Sequence, residues 1–131
     1  MITGGKVTKV RAENVKDVKR ENTQININIL NVKAVKNALT IQYEYAIVYE
    51  PDVATMTIEG ELYLEEKDSK SIQEAWEKSR RLPDDIASEV LGGITFTGSA
   101  VGTLLAFAIN VPAPISVPRA QLAPAEQKPA A

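Results

Sequence analysis

One stretch constrains this chain more than any other. Residues 86 to 109 read Ile-Ala-Ser-Glu-Val-Leu-Gly-Gly-Ile-Thr-Phe-Thr-Gly-Ser-Ala-Val-Gly-Thr-Leu-Leu-Ala-Phe-Ala-Ile, with Glu89 the single charge. An ordinary amphipathic helix shows water a polar face. Here the polar relief is only Gly, Ser and Thr, so a helix over this segment needs cover nearly all round. The rest of a 131-residue chain is too small and too polar to supply that cover alone. The segment therefore calls for a second copy of the chain or for a membrane.

Gly92-Gly93-Ile94-Thr95-Phe96-Thr97-Gly98 also alternates between glycines, which leaves a short strand open there. Each Gly lowers helix propensity by about 1 kcal/mol. Helix is the preferred reading, because Gly92, Thr95, Ser99, Gly102, Thr103 and Ala106 then give a small-residue stripe. Such a stripe admits the close approach of another backbone, and these six residues are the candidate oligomer interface. A membrane span needs about 20 predominantly apolar residues, and the segment is long enough. Its many Gly, Ser and Thr residues make insertion marginal. Asp84 and Asp85 stand just before it, and no Trp, Tyr, Lys or Arg follows until Arg119. Self-association to a dimer or tetramer is the favoured reading, with membrane association the alternative.

The preceding sequence reads as a sheet. Lys6–Ala12 is a short, charged edge strand. Glu13–Thr23 is a charged loop. In Gln24–Leu30, Ile25, Ile27 and Ile29 alternate with Gln24, Asn26 and Asn28, the period of a strand buried on one face. Ala38–Glu50 puts Leu39, Ile41, Tyr43, Tyr45, Ile47 and Tyr49 on one face, and Pro51 ends it. Ala54–Glu65 does the same with Met56, Ile58, Leu62 and Leu64, with Gly60 a candidate bulge. An antiparallel meander is the simplest pairing. Ser71–Arg81 changes to helical period, and Ser71 with Glu74 matches a capping box. Pro83 restarts the chain ahead of the long segment. Val111–Pro118 is a proline-rich extended exit, and Arg119–Ala131 is poor in anything to bury and is expected to be disordered. The expected organisation is one domain over residues 1–118 and a tail over 119–131.

Composition narrows the chemistry. The chain holds no Cys and no His, which removes thiol chemistry, the commonest metal ligand and the usual general base. A net charge of -2 offers no basic field for nucleic acid. Asp84 and Asp85 read as helix-start residues, Glu59, Glu61, Glu65 and Glu66 as a solvated strand face, and the tyrosines as core. Trp76 reads as a packing anchor, and Lys78, Arg80 and Arg81 as a solvated face. No phosphate loop, nucleophile elbow or metal spacing is present. A non-enzymatic protein without metal or cofactor, in a reducing cytoplasm, is the expectation.

The order of these parts resembles the SecB export-chaperone family. The resemblance rests on the short first strand Lys6–Ala12, the long crossover loop and three antiparallel strands with Gly60 in the last. It extends to the short helix with Trp76, Pro83 before a main helix, and the exit Ile109–Pro118, and so covers about residues 6–118. It implies an α+β fold, with a four-stranded antiparallel sheet packed on a long C-terminal helix and a helix layer sandwiched between sheets in the oligomer. It implies a tetramer and ATP-independent binding of unfolded polypeptide. The groove for that client is expected where the crossover loop and the proline-rich exit approach the sheet, lined by Val15, Val18, Ile115 and Val117. The loop Glu13–Thr23 carries no aromatic residue and many charges, so weak, salt-dependent binding is expected. The alternative is an assembly module of the same fold without chaperone activity.

Overall fold

A computed structural model describes residues 1–16 and 22–114. In chain order the elements are β1 (Ile2–Asn14), β2 (Asn22–Val35), β3 (Ala38–Glu50), β4 (Ala54–Glu65), α1 (Ser69–Ser79) and α2 (Asp84–Ile109). The four strands form one antiparallel sheet in the order β1-β4-β3-β2. The meander of β2, β3 and β4 is as expected. The first strand crosses to the far edge and pairs with β4.

Alternation builds the core. Leu39, Ile41, Tyr43, Tyr45, Ile47 and Tyr49 of β3 are all buried, as are Met56, Ile58, Leu62 and Leu64 of β4. Both helices lie on this face. α2 packs over β1, β4 and β3, while α1 packs over β2 and β3. Ile72 and Trp76 seat α1. The glycine-rich run Gly92–Gly98 lies inside α2 and is helical, not a strand.

Four local expectations are corrected. β2 continues to Val35, five residues beyond the predicted end at Leu30. A bulge between Ile29 and Asn31 reverses the alternation, so Val32 and Ala34 pair with Ile41 and Leu39 on the inner face. β1 starts at Ile2 rather than Lys6 because β4 pairs with the Gly4-Gly5 stretch as well. The bulge expected at Gly60 belongs to β1 opposite it, between Val7 and Lys9. Gly60 itself is required by space: a Cβ there would lie 2.6 Å from the Lys6 carbonyl and the Tyr43 hydroxyl. The capping box does not form. α1 begins two residues before Ser71, its N-cap is Asp68, and no side chain caps it.

The buried residues of α2 are Ile86, Val90, Ile94, Gly98, Gly102 and Ala106, every fourth position. At about 100° per residue each step advances this row by about 40°, so the line of contact winds around the helix. The helix stays close to the sheet because two of these positions are glycine. A Cβ on Gly98 would sit 2.5 Å from the Tyr45 ring, and one on Gly102 would sit 3.1 Å from Ile47 and 3.0 Å from Pro114.

Glycine substitutions along α2 should therefore split by face. Gly98→Ala should destabilise the protein by about 1–3 kcal/mol through overpacking. Gly92 has nothing within 4 Å of its would-be Cβ, and Gly92→Ala should stabilise by about 0.5–1 kcal/mol. Urea denaturation of the two variants checks the opposite signs, and equal effects would contradict the close contact at Tyr45.

Candidate functional site

The outward side of α2 is apolar. Phe96 is 78% exposed, Leu104 70% and Phe107 80%. Gly92, Phe96, Ala100, Leu104 and Ala108 make an exposed row, again at every fourth residue. Such rows are the ridges through which helices pack on one another. By length and composition α2 would also cross a membrane, with mean hydropathy 1.6 and only 28% of its most apolar window buried. The need for cover inferred from the sequence is thus met on one side only.

The candidate interface residues divide between the two sides. Gly92 and Thr95 are exposed, and Ser99 and Thr103 are half-buried, with the Thr103 hydroxyl donating to the Ser99 carbonyl at 2.7 Å. Gly102 and Ala106 turn inward to the chain's own sheet. They admit β3 and the exit segment, which takes them out of the outward stripe. The signal that separates them is the row they share with Ile86, Val90 and Ile94. The large residues of the outer face, Phe96 and Phe107 above all, have no counterpart in the small-residue reading.

Beside this face lies a cleft of about 340 Å³ between β1 and α2, lined by Ile2, Gly5, Val7, Tyr43, Leu62 and Phe96 among others. Val7 and Val10 pair with Gly60 and Ile58 on the helix side of β1 and remain exposed. At the floor of the cleft the Tyr43 side chain is hydrogen-bonded to Thr97, and burial raises its phenol above the ordinary tyrosine value. Ile2, one of the lining residues, donates its N–H to the Glu89 carboxylate at 2.6 Å. Glu89, the one charge in the apolar segment, thereby fastens the start of α2 to β1.

The predicted groove is described in part. Val15 is half exposed, and its N–H donates to the Val53 carbonyl at 2.8 Å. Asn14 Nδ2 donates to the Ile109 carbonyl at 2.9 Å, and the Tyr49 hydroxyl donates to the Pro112 carbonyl at 2.7 Å. The start of the crossover loop and the start of the proline-rich exit therefore meet at one end of the sheet. Val18, Ile115 and Val117 lie outside the described residues, as does the tail 119–131.

The acidic strand face is paired. Lys6 lies 3.8 Å from Glu61 and Lys9 lies 4.0 Å from Glu59. The Tyr63 hydroxyl donates to Glu61 at 2.9 Å, which lowers the Glu61 carboxyl below its ordinary value. Among the described residues no group of three or more acidic side chains is placed to hold a metal ion.

Comparison with known proteins gives a fold and no sequence relative. No family model matches the sequence, and no curated protein matches it. Among solved structures the chain is similar to Mycobacterium tuberculosis Rv1957, a SecB-like chaperone solved in complex with a ChAD peptide from the Rv1956 HigA1 antitoxin. The TM-score is 0.62 and the identity 12%, over 92% of this chain and 89% of that one. The protein has the SecB-like fold.

Two measurements check this geometry. Because burial raises Tyr43 in the folded state, its contribution is complete below the unfolded tyrosine value of about 10 and is lost as pH rises through the folded value. Stability should fall above about pH 10, and Tyr43→Phe should flatten that fall. Tyr49→Phe should cost about 0.5–1.5 kcal/mol and speed amide exchange at Val111, which directly precedes Pro112 and donates its N–H to the Ala106 carbonyl at 3.0 Å. Unchanged exchange would mean that the tyrosine does not hold the exit.

Proposed function

We propose that the protein is an ATP-independent holdase that binds non-native polypeptide. The observation carrying this reading is the SecB-like fold over 92% of the chain, shared with a chaperone solved with a peptide bound. The apolar surface agrees with it. A cleft of about 340 Å³ opens beside an exposed helix face, and the exposed Val7 and Phe96 line it. Binding a flexible segment costs ordering entropy, which apolar burial must offset. Val15, Val18, Ile115 and Val117 remain the proposed lining of a second part of the groove. The chemistry needs no nucleotide, metal or cofactor, and the proposed setting is the cytoplasm.

The same helix face supports self-association. Exposed Phe96, Leu104 and Phe107 form an apolar surface larger than scattered surface residues produce. A second copy packing across Gly92, Thr95, Ser99 and Thr103 would cover it, giving a dimer or tetramer with helices between sheets. The hydropathy of α2 favours a second reading, association with a membrane. An assembly module without chaperone activity is the remaining one.

A holdase should delay aggregation of chemically denatured luciferase without nucleotide. The Val15→Asp, Val18→Asp, Ile115→Asp variant should protect less while keeping its oligomeric mass. Full protection by that variant would remove these residues from the groove, and no protection by the wild type across several clients would leave only the assembly module. Light scattering at micromolar concentration should give a dimer or tetramer without detergent. Phe96→Asp with Phe107→Asp should shift it toward monomer, whereas recovery only with detergent would favour the membrane.

A further inference from the structure

The two edges of the sheet are built differently. β1 carries Lys6, Lys9 and Arg11, and its register is broken twice, between Ile2 and Gly4 and between Val7 and Lys9. Charges and bulges of this kind discourage an added strand. β2, the other edge, has none of them from Gln24 to Ile29: no charge, no Pro, no Gly and no register shift. Beyond the bulge α1 packs on the strand. The Ala34 N–H donates to Oε1 of Gln73, on α1, at 2.6 Å. A side chain thus satisfies an edge donor at one end of β2, while among the described residues no strand pairs with the outer side of Gln24–Ile29. Alternate residues of such an edge turn N–H and C=O away from the neighbouring strand.

The faces of this run are equally specific. Ile25, Ile27 and Ile29 pair with Ile47, Tyr45 and Tyr43 on the inner face. α2 packs over the other three strands, so Ile25 stays 42% exposed and Ile27 and Ile29 are only partly buried. An added strand would extend this apolar row and remove it from water. Gln24, Asn26 and Asn28 offer neutral hydrogen-bonding side chains on the other face.

We propose that the Gln24–Ile29 edge of β2 takes up an extended, uncharged polypeptide segment as a fifth strand of the sheet. Alternate apolar side chains of the segment continue the Ile25, Ile27 and Ile29 row, and its polar side chains lie beside Gln24, Asn26 and Asn28. Main-chain hydrogen bonds make the site tolerant of sequence, and the alternation selects segments that are β-prone and free of proline. The inference rests on the reading that the protein binds non-native polypeptide. A second copy is not the occupant. Six residues span only about 20 Å of strand, and edge pairing over that length falls well short of the ~800 Å² per partner that stable complexes bury.

The test uses a labelled peptide of alternating Thr and Val with a neutral solubilising tail, and two versions of it N-methylated at every Val or at every Thr. An added strand bonds along one edge only. In fluorescence anisotropy, one methylated version should therefore bind about tenfold or more weakly and the other like the parent. Asn26→Lys with Asn28→Lys, checked for an unchanged melting temperature, should weaken the parent peptide about tenfold and leave the oligomeric mass unchanged. Both methylated versions binding alike, whether well or poorly, would overturn edge pairing. So would a lysine variant that binds like the wild type or changes oligomeric mass, the latter assigning the edge to a second copy. If luciferase is protected while the parent peptide fails to bind, the edge proposal falls and the holdase reading stands. If luciferase is not protected either, both fall.

Discussion

The contact between Gly98 and the face of the Tyr45 ring sets the rest of this structure. With a would-be Cβ only 2.5 Å from that ring, no larger residue fits without moving the helix. The close approach lets α2 run over β3, β4 and β1 with bulky tyrosines beneath it, and it fixes which residues turn inward. Ile86, Val90 and Ile94 fill the wider space toward the start of the helix, and Gly98, Gly102 and Ala106 the narrower space toward its end. That choice turns Phe96, Leu104 and Phe107 outward, while Val101, Leu105 and Ile109 flank the line of contact and stay partly buried. The apolar outer face follows from the way the inner face packs, because the remaining positions of a nearly uncharged segment are apolar as well.

How much of this was legible in the sequence depends on whether a pattern was interrupted. β3 and β4 are found at their predicted bounds, because alternation runs unbroken and both ends carry turn residues, with Asn37 and Asp52 in left-handed conformations. Alternation alone stops β2 and β1 short. A bulge at Leu30 reverses the parity of the rest of β2, and Gly4-Gly5 has little strand preference until β4 pairs with it. Such effects belong to the partner strand and cannot be read from the segment itself. The stripe on α2 was only half legible for a related reason. Small residues mark close approach, but not which neighbour approaches: Gly102 and Ala106 admit the chain's own sheet, while Gly92 and Thr95 face outward.

The fold also distributes its polar contacts so as to fasten ends rather than stabilise the core. Glu89 receives the Ile2 N–H, Asn14 reaches the last carbonyl of α2, Tyr49 reaches Pro112, and Gln73 receives the Ala34 N–H. Each joins residues 39 to 95 apart in sequence. Individually such bonds contribute about 1 kcal/mol. Their joint effect is positional: they hold both ends of α2 to the sheet and bring the chain before and after the helix to one end of it. That end is where the crossover loop leaves β1 and the proline-rich exit leaves α2, so the two irregular segments share one neighbourhood although α2 and most of the sheet separate them in sequence.

A surface that holds unfolded chains must be apolar enough to bind and guarded enough not to aggregate with copies of itself. The proposed holdase role sets these demands, and features that suit them lie in different places. The lysines and bulges of β1 protect one sheet edge beside the exposed Val7 and Val10. The Glu59–Lys9 and Glu61–Lys6 pairs keep the outer face of the sheet hydrated. On α2 no charge breaks the apolar surface after Glu89, and the proposed second copy is what would cover it. The composition of β2 follows the opposite logic from β1: neutral amides replace lysines, and the bulge comes only at the end of the run. Asn and Gln keep the strand soluble without the desolvation penalty that a charge would impose on an incoming chain. An edge of that kind discriminates by backbone conformation rather than by charge, which suits a surface whose proposed ligands share extended backbone and little else.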